Sequence, residues 1–339
     1  MKFLIAGFGS IGRRHFHNLL SLGERDIVLY HTHHSTLPDD ELAGFPVETD
    51  LRAALAYKPD AVIISNPTSY HLDVAIPAAQ CGCHLLIEKP VSHSMAKLEE
   101  LQQVVVRNHN KVLVGYQYRF HPGLKYIKNL LEDGAIGEPL SAHAHWGEYL
   151  PSWHPWEDYK QGYAARSELG GGVILTLSHP LDYLRWLLGE VESVMAFTSQ
   201  SGLNLPVEDN AEILLRFESG ALGSVHLDYY QRPASHWLEL IGTQGTLRWD
   251  NSDGTARLAH VGQDGNIGAW QDFPPPQGFE RNAMFLDELC HFCSLLRAVV
   301  EPVCTLQDGI QALQLSLGAL ASSQQGKIIN MYGDPINRS

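Results

Sequence analysis

The stretch Lys2-Phe-Leu-Ile-Ala6-Gly7-Phe8-Gly9-Ser10-Ile11-Gly12 runs from an apolar segment of strand length straight into Gly-x-Gly-x-x-Gly. A helical pattern follows over Ile11 to Leu22, so the sequence predicts strand, tight turn and helix in immediate succession. In that context the glycines have separate uses. Gly7 makes the turn, Gly9 lets backbone approach a pyrophosphate, and Gly12 lets the helix pack closely on the strand. The helix N-terminus then presents unpaired N–H groups and the positive end of its dipole to phosphate. Gly7, Phe8, Gly9, Ser10, Ile11 and Gly12 are therefore the expected cofactor loop; a glycine turn without a ligand is the bland alternative.

Working outward, apolar runs at Lys2 to Ala6, Ile27 to His31, Ala61 to Ser65, His84 to Ile87 and Lys111 to Gly115 alternate with helical patterns. Those patterns cover Ile11 to Leu22, Leu51 to Tyr57, Ser69 to Cys81 and Met95 to Asn108. Such alternation predicts βαβ units with right-handed crossovers, an α/β Rossmann fold built on a doubly wound parallel sheet. Past about residue 120 the signal changes. Strand-like alternation at Glu212 to Phe217, Ala221 to Tyr229, Trp237 to Ile241 and Thr246 to Trp249 predicts a large, mainly antiparallel, open-faced sheet in an α+β domain. Helical patterns at His121 to Asp133, Val173 to Leu188, Asn282 to Val299 and Gln307 to Ser322 accompany it. The expected division is a dinucleotide-binding domain over 1–120 and a substrate-binding and oligomerisation domain over 121–339.

The 339 residues carry a formal charge of −14, which repels nucleic-acid phosphate and anionic lipid, so neither is an expected partner. Met1 to Gly7 is too short for a leader's apolar core and reads as a strand. Five cysteines in a chain this long make no disulfide framework, and a reducing cytoplasm is expected. Cys81-Gly-Cys83-His84, Cys290-His-Phe-Cys293 and His31-Thr-His33-His34 each lack a matching partner motif, and no metal is expected. The nucleotide's adenosine end should meet Tyr30-His31-Thr-His-His-Ser35, where no carboxylate precedes Asp39 to grip a ribose. Arg13, Arg14 and Ser35 are available to a 2′-phosphate. The cofactor expected is NAD(P), with a slight lean to NADP and with His31 among its contacts.

Further along stand Gly12-x-x-His15, Asn66-Pro67-Thr-x-x-His71, Ile87-Glu88-Lys89-Pro90, Tyr118-Arg119-Phe-His-Pro122, Gly134-x-Ile-Gly137, and Gly170-Gly-Gly172 ahead of His179 and Asp182. As an ordered set over roughly residues 1 to 190, they resemble the Gfo/Idh/MocA family of sugar and cyclitol oxidoreductases. The resemblance implies that Lys89 contacts both cofactor and substrate hydroxyl, that Glu88 lies close to the cofactor, and that Asn66, Pro67 and His71 line its site. It also implies a substrate contact for Arg119, whose guanidinium suits a carboxylate or phosphate.

The residues themselves support this chemistry. Lys89 follows the carboxyl end of a strand, where ligands of open α/β sheets bind, and an ammonium there stabilises a developing alkoxide. A continuous helix over Val173 to Leu188 puts Leu177, Leu181, Leu184 and Leu188 on an apolar stripe and turns His179, Thr176, Asp182 and Tyr183 away from it. His179, expected near its ordinary pKa, could then take a hydroxyl proton. One departure stands out: Thr176 occupies the place where many members of the family carry Asp, so either Lys89 and His179 suffice, or Asp182 compensates, or the protein does unusual chemistry or none. The loop Tyr149 to Arg166, with Trp153, His154, Trp156, Tyr159 and Tyr163, suits either stacking on a sugar ring or packing of the loop and a subunit interface.

The expected function is hydride transfer between nicotinamide and a secondary alcohol or ketone of a sugar, cyclitol or sugar derivative, with Lys89 and His179 catalytic. Lys89, Arg119, Tyr163, Thr176, His179 and Asp182 are the expected substrate contacts. The alternatives are an enzyme that retains its nicotinamide while cleaving a glycosidic bond or inverting a centre, and a non-catalytic dinucleotide-binding regulator. An open sheet face predicts a homodimer or homotetramer.

Overall fold

The computed structural model describes residues 1–32, 40–200, 202–262, 266 and 268–332. Six short parallel strands form the first sheet: β1 (Phe3–Ala6), β2 (Ile27–Tyr30), β3 (Val47–Glu48), β4 (Ala61–Ile64), β5 (His84–Glu88) and β6 (Val112–Gly115). Their order, β3-β2-β1-β4-β5-β6, is that of a dinucleotide-binding sheet. Every residue of β1, β4 and β6 is buried, as a sheet covered on both faces requires. The crossovers are α1 (Ser10–Ser21), α2 (Leu51–Ala56), α3 (His71–Gln80) and α4 (Leu98–Asn108). Sequence patterning misses β3, which is only two residues long and pairs with β2 at Leu29↔Val47.

α5 (Pro122–Glu132) leaves the first sheet, with His121 as its cap: the ring Nδ1 accepts from the Gly123 N–H at 3.0 Å. Burial pushes that imidazole down to about 4, so it stays a neutral acceptor. The second sheet has nine strands ordered β14-β13-β12-β11-β7-β10-β9-β8-β15. They are β7 (Pro139–Tyr149), β8 (Val191–Ser199), β9 (Asn210–Phe217), β10 (Leu222–Asp228), β11 (Tyr230–Gly242), β12 (Gly245–Asp250), β13 (Ala256–His260), β14 (Gln271–Phe273) and β15 (Ile329–Asn330). All pairings are antiparallel except β7 with β10. The period-2 rule holds along β9, where Ala211, Ile213, Leu215 and Phe217 face the core and Glu212, Leu214 and Arg216 face outward.

The helix expected over Val173 to Leu188 is two helices. α6 (Val173–Thr176) ends at Leu177, whose φ of −97° and ψ of 35° are not helical, and α7 (His179–Leu188) restarts with Pro180 in its first turn. The chain then returns to its beginning. α8 (Arg281–Leu296) sends Leu289, Phe292 and Cys293 into the core that holds Phe3, Ile5 and Leu113. α9 (Leu306–Gln325) bridges both cores: Leu306, Ile310 and Leu313 pack with Ile87 and Val112, whereas Leu315 and Ala319 join the second sheet's core.

Candidate active site

The loop between β1 and α1 separates steric need from vacancy. A Cβ on Gly7, at φ +92°, would lie 2.5 Å from the Asn66 nitrogen, and one on Gly12 would lie 2.0 Å from the Gly7 carbonyl. Gly9 has nothing within 4 Å, so its lack of a side chain leaves room for a ligand and meets no need of the fold. Gly9 also caps α1 without a side-chain hydrogen bond, and no acidic residue stands in the first turn, which leaves that turn's N–H groups for an anion. Ser10 is exposed and Ile11 half-buried beside them, and buried Phe8 packs edge-on against Phe16 at 5.6 Å. Across the cleft, Asn66 donates to the Tyr70 carbonyl at 3.2 Å, while its buried Oδ1 has no hydrogen-bond partner among the described residues. A dinucleotide fits this vacancy and this orphaned acceptor.

Pro67 opens the short turn that leads into α3. The His71 ring nitrogens lie 2.9 Å from the Asn66 carbonyl and 3.0 Å from that of Pro90, tying the loop after β4 to the loop after β5. His31 is buried just past β2, its N–H bonded to the Glu48 carbonyl at 2.9 Å and its ring 5.9 Å from Phe8. Arg13, offered by the sequence to a 2′-phosphate, forms an ion pair with Glu41 and lies over the Phe8 ring at 4.5 Å. Arg14 lies over Phe285 at 4.5 Å. His33, His34, Ser35 and Asp39 fall outside the described residues.

At the carboxyl end of β5, buried Glu88 receives His15 at 2.7 Å, Nε2 to Oε1. Burial raises its pKa, but the bond and charge of His15, with the charge of Lys89, outweigh that and hold it below the usual carboxylate range. Lys89 Nζ donates to the Thr176 main-chain carbonyl at 2.6 Å. Desolvation, opposed by Glu88 and reinforced by Arg281, holds its ammonium down to about 8. An amine poised there exchanges protons near neutral pH.

His179 differs from expectation in two ways. It opens α7 instead of lying within one long helix, so the projection that turned it away from the core does not apply. It is 1% exposed, with its ring against Tyr116 at 5.4 Å, Tyr118 at 4.9 Å and Trp146 at 5.5 Å. Burial and the charge of Lys89 push its pKa well below 6.5, so it stands as a neutral imidazole and not near its ordinary value. Thr176, the last residue of α6, is buried and meets Lys89 through its main chain.

Arg119 and Asp182, both expected at the substrate, are each other's partner instead. The guanidinium grips the carboxylate at 3.0 Å and 2.7 Å, gives a third bond to the Val303 carbonyl at 2.6 Å, and is 2% exposed. Its donors are spent inside the protein, where they tie the segment after β6 to α7 and to the approach of α9. Asp182 is likewise committed and cannot compensate for Thr176. In the aromatic loop, Trp153 and Tyr159 pack on the second core, while Trp156 at 58% and Tyr163 at 37% remain exposed.

Sequence reading gave no role to Tyr116, Tyr118, Trp146 or Glu148. The first three wall His179. Half-buried Glu148 accepts from the Trp146 indole at 2.8 Å and raises the pKa of Lys89 by its charge. Their signal was weak: β7 reads Ser-Ala-His-Ala-His-Trp, with small residues at its inward positions. The cysteine motifs gather no ligand set among the described residues; Cys83 donates to the Pro59 carbonyl at 3.2 Å.

Comparison with known proteins follows the same division. Residues 1–116 match the family model described as "Oxidoreductase family, NAD-binding Rossmann fold", and residues 124–248 match "GFO/IDH/MocA C-terminal domain". The chain is 26% identical to myo-inositol 2-dehydrogenase of Thermotoga maritima, over 98% of each chain. It is 29% identical to scyllo-inositol 2-dehydrogenase (NAD(+)) of Bacillus subtilis, over 80% of this chain and 78% of that one. Its fold is shared with a levoglucosan dehydrogenase solved with NADH and L-sorbose, at a TM-score of 0.86 and 20% identity over 98% of both chains.

Proposed function

Because this chain belongs to the Gfo/Idh/MocA family of oxidoreductases, we propose that it moves a hydride between nicotinamide and a secondary alcohol or ketone carbon of a sugar, cyclitol or sugar derivative. The observation that carries the reading is Lys89 at the open end of β5, its pKa held near 8 and its neighbour His179 neutral. Bound nicotinamide supplies the two-electron acceptor. As the substrate C–H gives up its hydride, the neutral amine of Lys89 takes the hydroxyl proton; in reduction the ammonium returns it. His179 orients the same oxygen from a dry wall of aromatic rings, and Thr176 and Tyr163 border the substrate. Glu148 favours the ammonium form of Lys89.

The same reading takes NAD before NADP, against the slight lean that the missing ribose carboxylate gives. Glu41 already neutralises Arg13, and the two relatives above whose names or titles mention a cofactor are an NAD(+) enzyme and an NADH complex. We further place the chain in the cytoplasm, since all five cysteines are free, and no helix among the described residues is long and apolar enough to cross a membrane. A homodimer or homotetramer would form through the outer face of the second sheet, where Phe197, Leu214 and Leu222 are 66%, 57% and 56% exposed. The −14 charge argues against nucleic-acid or membrane partners.

The test is nicotinamide fluorescence on titration with NADH and NADPH, followed by absorbance with a panel of cyclitols and pyranoses. NADH binding and NADH formation with at least one polyol are expected. Substrate consumption without net NADH would favour the cofactor-retaining alternative, and binding of neither nucleotide would remove the proposal.

A further inference from the structure

α8 buries one face made of Met284, Phe285, Glu288, Leu289 and Phe292. A carboxyl on that face is out of place: Glu288 is 0% exposed, and neither of its oxygens has a hydrogen-bond partner among the described residues. It is not isolated. One ring nitrogen of His15 and one oxygen each of Glu88 and Glu288 lie within 4.8 Å of one another, all three residues buried. Two carboxylates that close in a dry interior cannot both keep their charge.

The partners decide which one does. Glu88 has His15 at 2.7 Å and the Lys89 N–H at 3.3 Å, and it precedes the Lys89 ammonium directly. Glu288 has only its own burial and the charge of Glu88, both of which push its pKa well above the carboxylate range. The charged and titratable groups around the pair are His15 and Arg14 from α1, Lys89 after β5, His71 from α3, Tyr163 from the loop ahead of α6, Cys304 ahead of α9, and Arg281 on α8 itself. None is bonded to Glu288. A divalent ion would not fit as the cluster stands: ligands held at about 2.1 Å from a metal stand roughly 3.3 Å apart, whereas His15 and Glu88 are already in hydrogen-bond contact.

We propose that Glu288 is carried as the neutral acid and acts as a positioning residue, donating a hydrogen bond to Glu88, directly or through one water, and so fixing that carboxylate beside Lys89. The separation of at most 4.8 Å is within reach of a direct carboxyl–carboxylate hydrogen bond or of one bridging water with polar groups on two sides. The cluster then holds one negative charge and one shared proton, and the anion opposite Lys89 does not fluctuate as the site works. Only this consequence for Lys89 rests on the proposed reaction; the protonation state of Glu288 is read without turnover.

The experiment is thermal unfolding of the wild type and Glu288→Gln across pH. A carboxyl whose folded pKa lies above its unfolded value of about 4.3 binds a proton on folding, so its contribution is present below that value and lost as pH rises through the folded one. The amide does not titrate. The unfolding midpoint of Glu288→Gln should therefore climb relative to the wild type by about 2 °C per pH unit above pH 5. A difference that stays flat or falls would overturn the proposal, as would a stoichiometric metal ion present in the wild type and lost in the variant. If Glu288→Gln fails to fold, infrared spectra of the wild type at about pH 9 decide, where Glu208, pushed up to about 7 by burial, has ionised. A protonated-carboxyl band that shifts in heavy water is expected, and its absence would contradict the proposal. Failure of every alcohol as a substrate would count against the proposed reaction and leave the protonation state of Glu288 standing.

Discussion

Lys89 and Arg119 are buried or half-buried cations that follow adjacent strands, β5 and β6, yet the fold treats them in opposite ways. Arg119 receives a bidentate carboxylate from Asp182 and a carbonyl from Val303, so its charge is matched and its pKa rises further. Lys89 receives a neutral carbonyl from Thr176, and desolvation brings it down to about 8. A cation that is fully matched holds a structure together. One that is desolvated and incompletely matched can give up its proton, and this difference favours Lys89 over Arg119 for the proposed proton transfer.

Removing each cation breaks the comparison at a different place. Lys89→Ala should lower turnover by on the order of 10²–10⁴-fold, with NADH affinity by fluorescence changed little, because Lys89 bonds to α6 and not to the glycine loop. Arg119→Ala should leave the buried Asp182 carboxyl without its ionic partner in the core, costing about 3–5 kcal/mol in urea unfolding. Once folded, that variant should keep the pH dependence of the wild type. A variant that unfolds no more readily but loses substrate affinity would reverse the assignment and return Arg119 to the substrate. The smallest effect sharpens the contrast. Glu148→Gln removes an anion that favours the Lys89 ammonium, so the alkaline limb of the rate profile should move to lower pH, by less than about one unit. A limb that stays in place would mean that Glu148 does not act on Lys89.

The same contrast explains what could be read from the chain. The glycine loop was legible because its spacing from Gly7 to Gly12 is local, although only Gly12 clashes within the turn and Gly7 is constrained by Asn66 beyond β4. The five longer strands of the first sheet were legible as uniformly apolar runs, while β3 is too short to carry a pattern. Lys89 was legible from its place after a strand. Its state was not, since that depends on Thr176, Glu148 and Arg281, each from a distant segment. The break at Leu177 hid the surroundings of His179, because residues on either side of it do not share one helical phase. The pairing of Arg119 with Asp182 was not legible, for a charge at a strand end looks the same in sequence whether its partner is a ligand or a side chain. Glu288 left a usable trace: it falls on the apolar face of α8 between Phe285 and Phe292.

Lys89 is proposed to carry the proton while hydride is transferred, and the pH dependence of NAD-dependent oxidation reads that proton. The initial rate on a polyol substrate should rise with pH through a midpoint near 8, as the amine becomes free to accept the hydroxyl proton, and Lys89→Ala should abolish that limb together with the activity. A rate that does not rise through this range, or a Lys89→Ala variant that keeps both the limb and its turnover, would contradict the account.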